Sequence, residues 1–190
     1  WAYQIKLILD KLGLSDMWTN LHTYQHNSIF DFIKQRILDQ YHQTWYAEIN
    51  NSQRLLSYCR TKFTFSIEPY LDYYCLERRF KIALSKFRLS SHNLEIERGR
   101  YHNIPRHERL CKICNSRVIE NEYHFLLTCP AYVTLRNKFF KPDFYTGPTV
   151  QKYDKLMMSR TKKEITNLSK FLYFANKKKT EIEQNVIAYS

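Results

Sequence analysis

Apolar residues along this chain recur at steps of three and four, which predicts helices rather than strands. The clearest run is 28–50, where Ile29, Phe30, Ile33, Ile37, Tyr41, Trp45 and Ile49 fall on one face. Ser28, with Asp31 three residues on, is its candidate N-cap pair. Upstream, Ile5, Ile8, Leu9 and Leu12 make a helix within 2–14 that Gly13 stops. Ser15 and Asp16 are placed to cap a short turn holding Trp18 and Leu21, and 23–28 reads as a connection. Ser52 can cap a further helix with Leu55, Leu56 and Tyr58. Residues 62–66 alternate and suggest a short extended piece; 67–74 restart a helix, with Pro69 in its first turn. A helix over 76–89 turns Phe80, Ala83, Leu84 and Phe87 inward and Arg78, Arg79, Lys81, Lys86 and Arg88 outward. Residues 90–110 are polar and basic, with Gly99 and Pro105 as breakers. Then come a helix over about 131–140, a loop with Pro142, Gly147 and Pro148, and a last helix over about 162–176. That last helix rests on Ile165, Leu168, Phe171, Leu172 and Ala175, and the remainder to Ser190 is expected to fray. No internal repeat is visible.

Composition narrows this picture. A chain of 190 residues has room for one ordinary domain, or a domain and a small module. Three glycines are too few for a Gly-rich phosphate loop or a turn-rich β-sandwich, so long helices with short connections fit better. The net charge of +12 bears on partners rather than on fold. With 15 Tyr and 12 Phe interleaved, it points to nucleic acid before an acidic membrane surface. No secretory signal and no long apolar run is present, which implies no membrane partner and an intracellular setting, nuclear or cytoplasmic. There, clustered cysteines bind metal more often than they form disulfides. The first residue is Trp1, as expected of a segment of a longer protein.

Such a cluster occurs once. Cys111, Cys114, His124 and Cys129 follow the spacing Cys-x2-Cys-x9-His-x4-Cys. Zinc takes four thiolate or imidazole ligands in a tetrahedron, and a Cys-x2-Cys turn supplies two from one knuckle. Pro130 suits the first position of the following helix, which makes Cys129 its N-cap, with its sulfur at the positive end of the helix dipole. Three thiolates and an imidazole around Zn2+ carry a net −1, which Arg109, Lys112 and Arg117 are near enough in sequence to offset. The competing reading is three buried thiols and a surface histidine. Four available ligands argue for one closed, structural zinc rather than a catalytic one, for which Glu120 or Glu122 would be the general base. Cys59 and Cys75 read as core filler, and His92 as a hydrogen-bonding residue. The fold class expected is therefore mainly α, with a small embedded CCHC zinc knuckle. Its parts are a helical region at 1–89, a basic segment and knuckle at 90–140, and a linker with a C-terminal helix at 141–190.

The stretch "ALSKFRLSSHNLEIERGRYHNIPRHERLCKICNSRVIENEYHFLLTCPAYVTLR" at 83–136 resembles the C-terminal, knuckle-bearing region of reverse transcriptases from non-LTR (LINE-type) retrotransposons. In that group a basic "LRxSxHxLxIExGR" segment precedes "RxCxxC…ExHFLxxCPxYxxLR". The upstream helices are similar to the region between polymerase and knuckle, so the resemblance extends over roughly 1–140. It implies an accessory role in holding template RNA or target DNA, beside the polymerase domain of the same polyprotein or in a host-retained copy. The family's polymerase needs paired palm aspartates for two metals. No Asp-Asp pair occurs here, so no enzymatic activity is carried over to this chain.

The basic segment fits that role. Between Leu76 and Lys112 ten Lys/Arg stand against four Glu, half of the chain's net charge. Arg79, Lys86, Arg88, Arg98, Arg100, Arg106, Arg109, Lys112 and Arg117 are the candidate phosphate contacts, with Tyr101 and Tyr123 available to stack on unpaired bases. The bland reading is a solvated face laced with pairs such as Glu97–Arg100. The short run Lys177–Lys178–Lys179 could serve nuclear import. The function expected is non-enzymatic RNA or single-stranded DNA binding; the alternative is a zinc-stabilised protein-interaction module.

Overall fold

The period-3.6 stripes fold as helices throughout a computed structural model that describes residues 1–20, 26–114 and 116–188. In chain order these are α1 (Ala2–Lys11), α2 (Ser15–Thr19), α3 (His26–Asn51), α4 (Leu56–Cys59), α5 (Arg78–Arg88), α6 (Glu95–Tyr101), α7 (Val133–Phe139), α8 (Pro142–Tyr145), α9 (Val150–Met157) and α10 (Lys162–Ala188). Among the described residues there is no strand, only an isolated antiparallel bridge between Leu110 and Ile119. The fold is mainly α with a small Cys/His site, as the pattern predicts. Residues 62–66 are irregular rather than extended.

The chain divides into two units, Trp1–Ser52 and Gln53–Ser190. In the first, α1 ends where Gly13 takes φ +69°. The Leu14 N–H donates to Leu9 O (2.8 Å) and the Gly13 N–H to Asp10 O (3.0 Å), the paired bonds of a Schellman stop. Arg36 and Gln40 of α3 donate to the last carbonyls, Leu12 O and Lys11 O. Leu9, Leu12, Leu14 and Met17 form a small core on which Ile29 and Ile33 pack. The rest of the expected α3 face behaves differently: Ile49 is buried, but Phe30, Ile37 and Tyr41 are exposed. The α3 helix also begins at His26, so Ser28 lies within its first turn rather than at the cap. Leu21 lies outside the described residues.

In the second unit, residues from 53–89, 90–140 and 141–190 share one core. Its axis is α10, which packs chiefly on α5 and then on α7. Phe80, Leu84 and Phe87 of α5 meet Ile165, Leu168, Phe171, Leu172 and Ala175 of α10, all buried as their spacing predicts. Three expectations change. Gly99 does not break the chain but sits buried inside α6, because a Cβ there would lie 2.6 Å from Arg109 Cγ. A further helix, α9, starts at Thr149, whose hydroxyl accepts the Lys152 N–H. And α10 runs to Ala188 instead of fraying after 176. Cys75, expected in the core, is exposed, while Cys59 is half-buried.

Candidate metal centre

The two cysteines nearest each other in sequence lie in a tight excursion of the chain. The Cys111 N–H donates to Val118 O (2.9 Å) and the Glu120 N–H to Arg109 O (2.9 Å), so 109–120 doubles back like a hairpin. Arg117 makes the return with a left-handed φ of +51°. His124 opens a π-helical turn, His124–Thr128, where Asn121 Oδ1 accepts its backbone N–H at 2.8 Å. Cys129 is the N-cap of a 3-10 turn, Pro130–Tyr132, with Pro130 at its first position; this turn leads into α7. The cap and the proline thus stand where the spacing places them, with a tighter first turn.

These three pieces bring the four side chains together. One donor atom from each of Cys111, Cys114, His124 and Cys129 lies within 4.8 Å of the other three, and all four residues are buried. Cys114 Sγ is 3.3 Å from His124 Nε2. The other ring nitrogen, Nδ1, is 2.9 Å from the Thr128 hydroxyl. With Nδ1–H donating to Thr128, Nε2 keeps its lone pair for an ion. The Cys111 thiol is pulled down, chiefly by the hydrogen bond from Cys129. The Cys129 thiol is pushed up by the same bond and by burial. Three thiols and an imidazole nitrogen this close together make a donor set that could hold a metal ion.

No protein-family model matches the chain, and neither curated proteins nor solved structures yield a significant match.

The charges beside the centre are not those expected. Lys112 is exposed and pairs with Glu95 at 3.0 Å, Arg117 is exposed, and Arg109 is engaged elsewhere. Two buried cations that sequence reasoning missed stand beside it. Arg136 is buried and donates to Cys129 O; burial lowers its pKa while the Cys129 charge raises it. Lys179 is fully buried and donates to both oxygens of Glu120, at 2.7 and 2.8 Å. Glu120 in turn accepts the Glu95 N–H at 2.8 Å and lies 3.8 Å from Cys111 Sγ. Burial raises its pKa, and Lys179 opposes the rise. Lys179 had a readable signal: it continues the stripe Leu168, Leu172, Ala175 at the next step of four. Its neighbours diverge, as Lys178 donates to Ala131 O (2.8 Å) and Lys177 is exposed.

Glu122, the other carboxylate considered as a base, is also engaged. It accepts from Ser57 (3.3 Å) and pairs with His92 Nε2 (3.3 Å). Burial raises its pKa, but the His92 hydrogen bond and charge outweigh this and leave it lowered.

The candidate phosphate contacts separate into two groups. Arg88 is buried, paired with Glu68 and donating to Met157 O, which corrects its assignment to a surface cation. Arg109 holds Ile104 O (2.9 Å) and Ile96 O (2.8 Å) and lies against Gly99, so it builds the fold. Arg100 is paired with Glu97 at 2.8 Å. Tyr123 donates to Pro148 O and packs on the core, so it is not a free stacking platform. Arg79, Lys86 and Arg98 line an open groove of about 1060 Å³ beside α10, together with Arg54, Lys177, Tyr101 and Tyr173; of these, Arg79 pairs with Glu77 at 2.9 Å and Arg98 with Glu95 at 3.2 Å and Glu183 at 3.1 Å. Arg79 stacks over Tyr173, 5.3 Å from its centroid. Arg106 lines a separate, smaller depression with Arg100 and Arg109. No described helix is long and apolar enough to cross a membrane.

Proposed function

We propose that Gln53–Ser190 is a zinc-stapled helical module that binds RNA or DNA through the groove beside α10, without catalysis of its own. A tetrahedral zinc with Zn–S near 2.3 Å and Zn–N near 2.0–2.1 Å sets its ligand atoms roughly 3.5–3.8 Å apart. The four donors, all within 4.8 Å of one another, need only a small contraction to meet that shape. Four protein ligands leave no open coordination position, which favours a structural ion. Such an ion ties the hairpin at 109–120 to the turn that starts α7.

The observation that carries the nucleic-acid reading is the lining of the groove. Arg54, Arg79, Lys86, Arg98 and Lys177 face it, with one carboxylate, Glu181, and two tyrosines. Cations at this density neutralise phosphates without reading sequence. The resemblance of 83–136 to the knuckle region of retrotransposon reverse transcriptases supports the same role, as an accessory to a polymerase domain. The test is fluorescence anisotropy with labelled RNA and DNA over a range of salt. Binding should weaken steeply as salt rises, and Arg79→Glu with Lys86→Glu should weaken it further and flatten the slope. Binding indifferent to both salt and charge reversal would refute the assignment. Elemental analysis should find one zinc per chain, lost in Cys111→Ser.

A second reading, a protein-interaction module, is favoured by one observation. Phe30, Ile37 and Tyr41 are exposed and, seven and four residues apart, fall on one face of α3; an exposed apolar stripe of this kind marks an interaction surface.

A further inference from the structure

A second basic concavity adjoins the groove beside α10. This depression, of about 450 Å³, is lined by Arg100, Arg106 and Arg109 and by the carboxylates Glu97 and Glu122. Arg54 lines both concavities, so it stands on the divide between them. Its Nε donates to Ser90 O at 3.4 Å, which leaves the rest of the guanidinium for a ligand.

The cations of the two concavities differ in how much charge they have left to offer. Arg79, Arg98 and Arg100 each hold a carboxylate, and Lys177 lies 3.9 Å from Glu181. Arg109 is bound to the Ile96 and Ile104 carbonyls. Lys86, Arg54 and Arg106 form no ion pair among the described residues, and Lys86 and Arg106 are exposed. The carboxylates of the depression do not cancel Arg106, because Glu97 is held by Arg100 and Glu122 by His92 and Ser57. A paired cation must give up its partner to take a phosphate. An unpaired one releases only water and small ions, the exchange that drives binding to nucleic acid. The unpaired cations stand one in the groove, one on the divide and one in the depression.

We infer that Lys86, Arg54 and Arg106 form one track for successive phosphates of a single strand, which runs from the groove over the divide into the depression. A backbone seated in both must dip, rise over Arg54 and dip again within the width of one small domain. A duplex resists bending over about 150 base pairs, so it spans such a divide and seats on one side of it at most. A flexible single strand follows it. This rests on the nucleic-acid reading above and deepens it, by naming the form of the ligand and by extending its path beyond the groove.

The experiment uses the full zinc-loaded chain and labelled oligouridylate and oligothymidylate of about 4 and about 16 nucleotides, with a duplex as long as the longer strand. Anisotropy should show the long single strand bound more tightly than the short strand or the duplex. Arg106→Gln should weaken the long strand severalfold and flatten its slope of log affinity against log salt by about 0.7, the share of one single-strand phosphate. It should leave the short strand, which the larger groove holds alone, unchanged. Lys86→Gln should weaken both lengths. Arg160 is exposed and lines neither concavity, so Arg160→Gln removes the same charge from outside the track and should change nothing. Long-strand binding that is steep in salt but indifferent to Arg106→Gln overturns the track and leaves the groove standing. Equal losses from Arg160→Gln and Arg106→Gln also overturn it, by making net charge the cause. A duplex bound as tightly as the single strand, and through Arg106, overturns the choice of ligand. Absence of any binding at low salt removes the track and the nucleic-acid reading together.

Discussion

Thr128 shows how much of the centre lies outside its ligands. Its hydroxyl lies 2.9 Å from His124 Nδ1, and a proton donated to it there leaves Nε2, the nitrogen beside Cys114, as the acceptor. Thr128→Val keeps the shape and removes that partner. Zinc affinity should fall about 10–100-fold, measured by competition with a chromogenic chelator; unchanged affinity would show the ring to be oriented by packing alone. Gly99 is a second such residue. An alanine in a helix usually gains up to about 1 kcal/mol over glycine. Here the new Cβ would meet Arg109 Cγ at 2.6 Å, and Arg109 cannot swing aside without releasing the Ile104 and Ile96 carbonyls. Gly99→Ala should therefore destabilise the second unit by about 1–3 kcal/mol in urea unfolding. The four clustered side chains were legible in the sequence because metal-binding chemistry restricts both residue type and spacing. Thr128 and the role of Gly99 were not, because each depends on a contact that local spacing does not determine.

At the scale of elements, α10 carries the argument. Its apolar half could be read from Ile165 to Ala175, because burial repeats every three to four residues. Its second half looked like a polar tail, since a lysine in a stripe is ordinarily a stop. What holds it is long-range: Lys179 reaches Glu120, fifty-nine positions away, and Glu183 pairs with both Lys179 (3.2 Å) and Arg98 (3.1 Å). Periodicity reports which face is inward but not which buried charge has a partner. The Glu120–Lys179 pair is fully buried, so removing one member leaves an uncompensated charge. Lys179→Met should cost about 3–5 kcal/mol, and adding Glu120→Gln should recover most of it. Chemical unfolding of the single and double variants measures this coupling; a single variant as stable as wild type would mean that Glu120 takes up a proton at little cost. The same pair joins the knuckle to the helix that borders the groove.

Across the whole molecule, a metal bound at the Cys/His site would act well beyond the site itself. From sequence alone, the loss of one ligand would be expected to unfold only 109–130. The structure argues for a wider effect. Cys111, Cys114 and Cys129 belong to the same core as Phe87, Leu84 and Leu172. Phe125, next to His124, has ring centroids 4.8 Å from Tyr132 and 6.0 Å from Phe171 of α10. A structural zinc can supply roughly 10–16 kcal/mol, as much as the net stability of a whole domain, roughly 5–15 kcal/mol. Without it, three buried thiols, an imidazole and the neighbouring Glu120–Lys179 pair would have to remain packed unaided. The core around Leu9, Leu12, Leu14 and Met17 shares no residue with this one. Cys114→Ser, or chelation of the wild type, should therefore abolish hydrogen-exchange protection throughout Gln53–Ser190, α5 and α10 included. Amides of α1 and the first half of α3 should keep theirs. Loss confined to 109–130 would show instead that the α5–α10 core stands without the knuckle, and the groove would then form with or without metal.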